Sequence, residues 1–185
     1  MIERFLTWLC RGVEEINGRG LCPTYLYRWT LFQPKGNWWP WKGFGIYVHK
    51  FVGDDWSRDM HDHPKRFISI GLWGRYIEWT PCLSHLFIPS SHEEDRCAFV
   101  FAGMPCFKLE EAHFKQRLYI APWVRSFPAT HIHRLTLPDH AKSTWTIVFV
   151  LTAVREWGFW NRRGRFVNWR DYVKSSDAEA RKACP

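Results

Sequence analysis

An all-β sandwich or barrel is the fold this 185-residue sequence predicts. Three observations carry that prediction. Short apolar or alternating runs recur along the chain, Gly, Pro and Asn clusters separate them, and helical periodicity is confined to the two ends. With 46% hydrophobic and 18% aromatic residues, 13 of them tryptophan, the bulk of the chain is too apolar to be disordered. The length suits one domain with a substantial core.

Taken in order, residues 2–16 place Ile2, Phe5, Leu6, Leu9, Val13 and Ile16 at three-to-four spacing, which predicts an amphipathic helix ended by "NGRG" (17–20). "TYLYRWTLF" alternates and stops at Pro34, and "FGIYVHKFV" (44–52) reads as a strand. A strand over 59–70 follows, then the turn "LWG" (72–74) and "RYIEW" (75–79). Residues 80–122 are less regular, with strands expected around "MPC" and a loop at "SSHEED" (90–95). "WVRSFPATHIHRLTL" (123–137) and "TWTIVFVLTAV" (144–154) are further strands, the latter apolar enough to be buried on both faces. "REWGFW", "NRRG" and "RFVNW" predict a closing hairpin, and "SSDAEARKAC" a short helix or surface tail. The expected organisation is one domain over 1–185: an N-terminal helix (1–20), a β-barrel (21–170) and a C-terminal tail (171–185).

The net charge of +8 favours anionic partners: small carboxylated or phosphorylated molecules, nucleotides or nucleic acid. No nucleic-acid motif accompanies it, so small anions are preferred. Six scattered cysteines (10, 22, 82, 97, 106, 184) include no CxxC pair, which points to reduced thiols and away from zinc fingers. No apolar run approaches the ~20 residues of a membrane span. "MIERFLTWLCRG" lacks the pattern of an export signal, so a cytoplasmic location is expected.

The chemistry centres on "RDMHDHPKRF" (58–67). Asp59, His61 and His63 are spaced to share one face of an extended strand. A second His-x-His, His131 and His133, follows in "FPATHIHRL", and in a double-sheet fold the two segments can face each other across the interior.

"HDHPKRFISIGLWGRY" followed by "PATHIHRL" resembles the paired motifs of the cupin superfamily, whose double-stranded β-helix (jelly-roll) barrel holds a metal. Residue by residue, His61 and His63 match the first histidine pair and Gly74 the glycine closing the turn. Pro128 and His133 match the second motif, with Thr130 where a glycine is usual. The ending "REWGFW…VNWRDYV" is similar to small bacterial and phage cupins. The resemblance covers roughly residues 44–170. Many cupins place a glutamate ligand where this chain has Phe67. What remains is a three-histidine set, His61, His63 and His133, similar to cupin thiol dioxygenases. Asp59, Glu78 and His131 stay open as further ligands.

Neutral imidazoles suit several divalent first-row metals. Fe(II) is favoured, with Zn, Ni, Mn or Cu as alternatives. Three protein ligands leave positions for a substrate, as catalysis requires. Substrate-binding candidates are Arg58, Arg75, Tyr76, Arg125 and Arg134, close in sequence to the ligands, since guanidinium forks bind carboxylate or phosphate. Arg66 is also near. Glu78 and Glu156 are candidate acid–base groups, and Trp38, Trp39 and Trp41 suggest a lid or interface. His49 is the remaining histidine of interest; His85, His92, His113 and His140 read as surface or packing residues.

The expected function is therefore a metal-dependent cupin enzyme, Fe(II) dioxygenase-like, acting on a small anionic molecule. One alternative is a nucleotide-binding cupin, of phage type, that sequesters or hydrolyses a signalling nucleotide. Another is a non-catalytic partner-binding β domain. A homodimer is expected by analogy alone.

Overall fold

The computed structural model describes residues 1–16, 23–34, 43–55, 59–81, 114–138, 141–160 and 166–172. The Trp38/Trp39/Trp41 loop, Arg58, the strand expected at "CAFVFAG", residues 106–113 of the strand expected at "CFKLEEAHFKQRLYIA", the "NRRG" turn, His85, His92, His113, His140 and the tail beyond 172 lie outside these residues; the rest of that second strand is present as Phe114–Ile120.

One helix comes first, α1 (Ile2–Leu9), and strands follow. β1 (Glu14–Ile16), β2 (Leu26–Phe32), β3 (Gly45–Phe51), β10 (Thr144–Ala153), β5 (Lys65–Trp73) and β8 (Trp123–Phe127) form one antiparallel sheet, in that spatial order. The facing layer has two parts. One is β12 (Phe166–Asn168), β11 (Gly158–Trp160) and β4 (Met60–His61); the other is β7 (Phe114–Ile120), β6 (Arg75–Pro81) and β9 (Arg134–Thr136). They join at one antiparallel bridge, where the His61 and His133 main chains exchange N–H···O bonds of 2.9 and 3.0 Å.

This connectivity is a jelly roll. From β3 to β10 the chain crosses between layers at each step except β6 to β7, giving β3-β10-β5-β8 against β4-β9-β6-β7, with β1, β2 and β11, β12 as extensions. The all-β, cupin-like double-sheet fold expected from the sequence is thus present, with its N-terminal helix. No helix among the described residues is long and apolar enough to cross a membrane.

Three sequence expectations need correction. The first helix stops at Leu9, not Ile16. Arg11 and Gly12 take positive φ (57° and 148°), and Glu14–Ile16 instead pair with Leu26–Arg28. A strand partner offers the Val13–Ile16 segment ladder bonds that an isolated helical turn lacks. The strand expected over 59–70 is two strands in different layers. The chain crosses between sheets at 62–64, where Pro64 lacks the N–H a continuing ladder would need. β10 is not apolar on both faces: Thr144, Thr146 and Val148 are buried towards the interior while Leu151, Thr152 and Ala153 are exposed. β10 is central because both its edges are paired, with β3 and β5.

The outer face of the first sheet is covered at one end by α1. Leu6 packs on Trp29 and Val48, Trp29 Nε1 donates to Thr7 Oγ1 (3.0 Å), and Lys50 pairs with Glu3 (2.6 Å). Cys10, half-buried there, is a free thiol. Between β5 and β6, Gly74 turns the chain at φ +88°. A Cβ at this position would lie 2.3 Å from the Ser143 carbonyl, so only glycine fits.

Candidate metal centre

The seam between the halves of the second layer is where the histidines meet. β4 carries His61, the crossing segment carries His63, and His133 immediately precedes β9. Pairing of residues 61 and 133 brings the three rings to 5.0–5.1 Å between centroids. Their ligand nitrogens all lie within 4.8 Å of one another. His63 Nε2 and His133 Nε2 stand 2.9 Å apart. Two nitrogens at ~2.1 Å from one ion and at right angles are separated by about 3.0 Å, so this spacing fits two neighbouring ligands.

Between the two ligand histidines Asp62 points the other way and is fully buried. Its carboxylate accepts from the Gly158 N–H (2.9 Å), Trp160 Nε1 (3.3 Å) and the Arg155 guanidinium. This ties β4 to β11 and fixes the backbone that aims His61 and His63.

Glu78, buried on β6, organises the inner side. One carboxylate oxygen accepts from His133 Nδ1 and His131 Nε2, each at 2.9 Å, and the other accepts from Arg125 Nη2 at 2.6 Å. Burial pushes the Glu78 carboxyl up, but the bonds donated by His131, His133 and Arg125 outweigh it. The group is held well below the usual carboxylate range. A proton on His133 Nδ1 leaves its Nε2 lone pair facing His61 and His63, the arrangement by which a carboxylate orients a metal-binding imidazole. Burial lowers the His133 pKa to about 4 and that of His63 well below 6.5, so both rings are neutral, and able to coordinate, at pH 7.

Glu78, His131 and His133 form a second group of ligand spacing. In that group the carboxylate already accepts from both histidines, and Arg125 places a positive charge 2.6 Å from it. An ion there would stand against a guanidinium. The residues present fit an ion at His61, His63 and His133.

The remaining predicted site residues lie as follows. Asp59 is half-buried and belongs to neither group; the carboxylate near His61 is Asp55, 3.9 Å from Nδ1, which also accepts from the Leu135 N–H at 2.8 Å. Tyr76 is buried with its hydroxyl accepting from Arg125 Nη1 (3.1 Å), and burial raises its pKa to about 12. Arg125 thus spans the two layers, committed to Glu78 and Tyr76 and stacked over Tyr119 and Phe127. Arg75 is exposed, and Arg134 lies over the Trp79 ring. Glu156 is exposed beside Asn168. Phe67 packs its ring on His63 (4.7 Å) and stacks on Phe127 (4.5 Å), giving the centre an apolar wall.

A cavity of about 670 Å³ runs between the layers from His61, His63 and His133. Its lining is mostly apolar and aromatic, including Phe51, Phe67, Phe127, Val148, Trp157 and Phe159. It also includes Arg28, Tyr47 and His49, of which the sequence reading singled out only His49. The missed signal was β2's alternation: Arg28 is two residues from inward-facing Leu26 and shares its face.

No protein-family model and no curated protein matches the chain in sequence. Among solved structures it is similar to Fe(II)-HppE with an alternative substrate (10% identity, TM-score 0.46), over 75% of this chain and 55% of that one. It is also similar to the DMSP lyases RdDddP and RnDddQII (13%, 0.45, over 77% and 57%) and to an oxalate oxidase in complex with glycolate (13%, 0.42, over 79% and 59%). The chain thus spans just over half the length of these proteins. At these identities and scores, the chemistry of the site has to come from the chain's own side chains.

Proposed function

We propose that the chain is a metal-dependent enzyme, Fe(II) dioxygenase-like, in which His61, His63 and His133 hold the ion and the cavity between the sheets receives a small anionic substrate. The observation that carries this reading is the convergence of three imidazoles, two of them held neutral, at the inner end of that cavity.

A bound first-row ion would supply open coordination positions and, if it is iron, redox chemistry with dioxygen. The protein's own part is positioning. Glu78 fixes the protonated nitrogen of His133, and Arg125 neutralises Glu78, so the centre would offer an ion imidazole ligands without a carboxylate and leave it its full charge towards an anionic substrate. Phe67 and Phe127 exclude water on one side, which strengthens electrostatic attraction inside the cavity. The loop that motivated the nucleotide-binding alternative, with Trp38, Trp39 and Trp41, lies outside the described residues, and no observation favours that reading.

Elemental analysis after anaerobic loading with Fe(II), and separately with Zn, Ni, Mn and Cu, tests the proposal. About one tightly held ion per chain is expected, lost in the His61→Ala/His133→Ala double variant while the circular dichroism of the fold is kept. A wild-type chain that retains no ion from any of these metals would remove the reading.

A further inference from the structure

The sequence reading placed the substrate's charge on arginines near the histidines, but Arg125 is committed to Glu78 and Arg75 is exposed. The guanidinium that lines the cavity is Arg28, on β2. In register across the first sheet, Arg28, His49 and Thr146 share the inward face, and the Arg28 guanidinium sits 5.5 Å from the Tyr47 ring. Arg28 Nε donates to His49 Nε2 (3.3 Å) and Nη1 to Glu14 Oε2 (3.4 Å). Among the described residues, Arg28 Nη2 and the Tyr47 hydroxyl make no hydrogen bond, although both residues line the cavity. Glu14, 61% exposed, is a solvated counter-ion rather than a buried partner.

Distance and lining define what would fill the space. His63 touches Phe67 on β5, and Arg28 is three strands away, across β10 and β3. Arg28 is in register with Gly71, four residues along β5 from Phe67; three strand spacings of roughly 14 Å in all and a rise of about 13 Å put the two backbones about 19 Å apart, leaving on the order of 10 Å between inward-reaching side chains. The intervening wall is mixed, with Val148 and Val150 beside Ser69, Thr146 and His49. One guanidinium edge and one phenol match the two oxygens of a carboxylate, while nearby Glu14 opposes a phosphate dianion.

We propose that Arg28 and Tyr47 form a carboxylate-binding end of the cavity opposite the histidine triad, so that the substrate is an elongated, amphipathic monocarboxylate. This rests on the metal-enzyme reading for the substrate's role, though not for its binding.

Calorimetric titration of the full chain with octanoate, octan-1-ol and octyl phosphate tests it. Octanoate is expected to bind at least tenfold more tightly than octan-1-ol, which has the same chain length without the charge. Arg28→Gln should weaken octanoate on the order of ten- to hundredfold, as loss of a charged hydrogen-bonding pair does, with the metal content per chain unchanged. Glu14→Gln should tighten it, by removing the competing carboxylate. Should Arg28→Gln not fold, Arg28→Lys keeps the charge without the fork and should still lose affinity several-fold. Equal octanoate binding by these Arg28 variants and wild type, equal binding of octan-1-ol, or tighter binding of octyl phosphate would each overturn the assignment. In His61→Ala/His133→Ala, Arg28-dependent octanoate binding should persist without metal. Arg28-dependent binding in a wild-type chain that takes up no metal would sink the metal reading and leave the subsite standing.

Discussion

Replacing Glu78 by Gln asks whether one carboxylate organises the metal centre. The side chain is 3% exposed and accepts three bonds, from His131, His133 and Arg125. Because the histidine bonds fall on one oxygen and the arginine bond on the other, an amide of the same shape cannot satisfy all three. With its oxygen towards the histidines, its NH2 meets the Arg125 donors; turned round, it meets the histidine donors. Either way a half-buried guanidinium, 18% exposed, loses its counter-charge. Removing one partner of a buried charge pair costs about 3–5 kcal/mol. For a urea slope of about 2 kcal/mol per molar, the unfolding midpoint should fall by roughly 2 M. His133 Nδ1 then either loses its acceptor or keeps only a neutral amide oxygen in place of a carboxylate, so metal affinity should fall about 10- to 100-fold. Urea melts of the metal-free protein, competitive chelator titration and the ring-nitrogen NMR shifts of His133 read these effects separately. A midpoint within ~0.3 M of wild type, with an unchanged His133 tautomer, would refute the reasoning.

Two further outcomes follow from the same geometry. His133 is lowered to about 4 and His63 is also lowered, chiefly by burial, from 6.5. Both rings are therefore neutral in the fold but protonated in the unfolded chain at pH 5. The unfolded state binds more protons, so the metal-free protein should be fully stable above pH 6.5 and lose stability as pH falls towards 4, by about 1.4 kcal/mol per pH unit for each such histidine. A flat urea midpoint from pH 7 to 5 would contradict this. Gly74→Ala should cost about 1–2 kcal/mol from backbone conformation alone, with more from the Ser143 contact, read as a lower urea midpoint; unchanged stability would mean that the β5–β6 turn is not held as described.

How much of this was legible beforehand depends on range. The His-x-His pairs, and the Pro128–His133 segment following Gly74, are short-range patterns, and they marked the three histidines that now share a site. Alternation after Gly74 required some of Arg75, Tyr76 and Glu78 to face inward without saying which, and Tyr76 and Glu78 are the buried ones. What each interior group does was not legible, because that depends on partners distant in sequence. Glu78 and Arg125 are 47 residues apart, and their bond turns one candidate acid–base group and one candidate substrate arginine into a fixed support. Asp59 looked aligned with the histidines only while the segment was taken as one strand. The strand β4 begins only at Met60, so Asp59 stands before it in a bend. The α1 boundary failed because apolar spacing at 13 and 16 fits a helix or a strand equally, and only the pairing with Leu26–Arg28 decides.

The contact that closes the second layer is made by the main chains of residues 61 and 133, whereas any coordination there belongs to their imidazoles. Stitching and ligation thus share an address but use different atoms. An alanine at either position keeps the peptide groups that hold the layer together, which allows loss of the ion to be told apart from loss of the architecture.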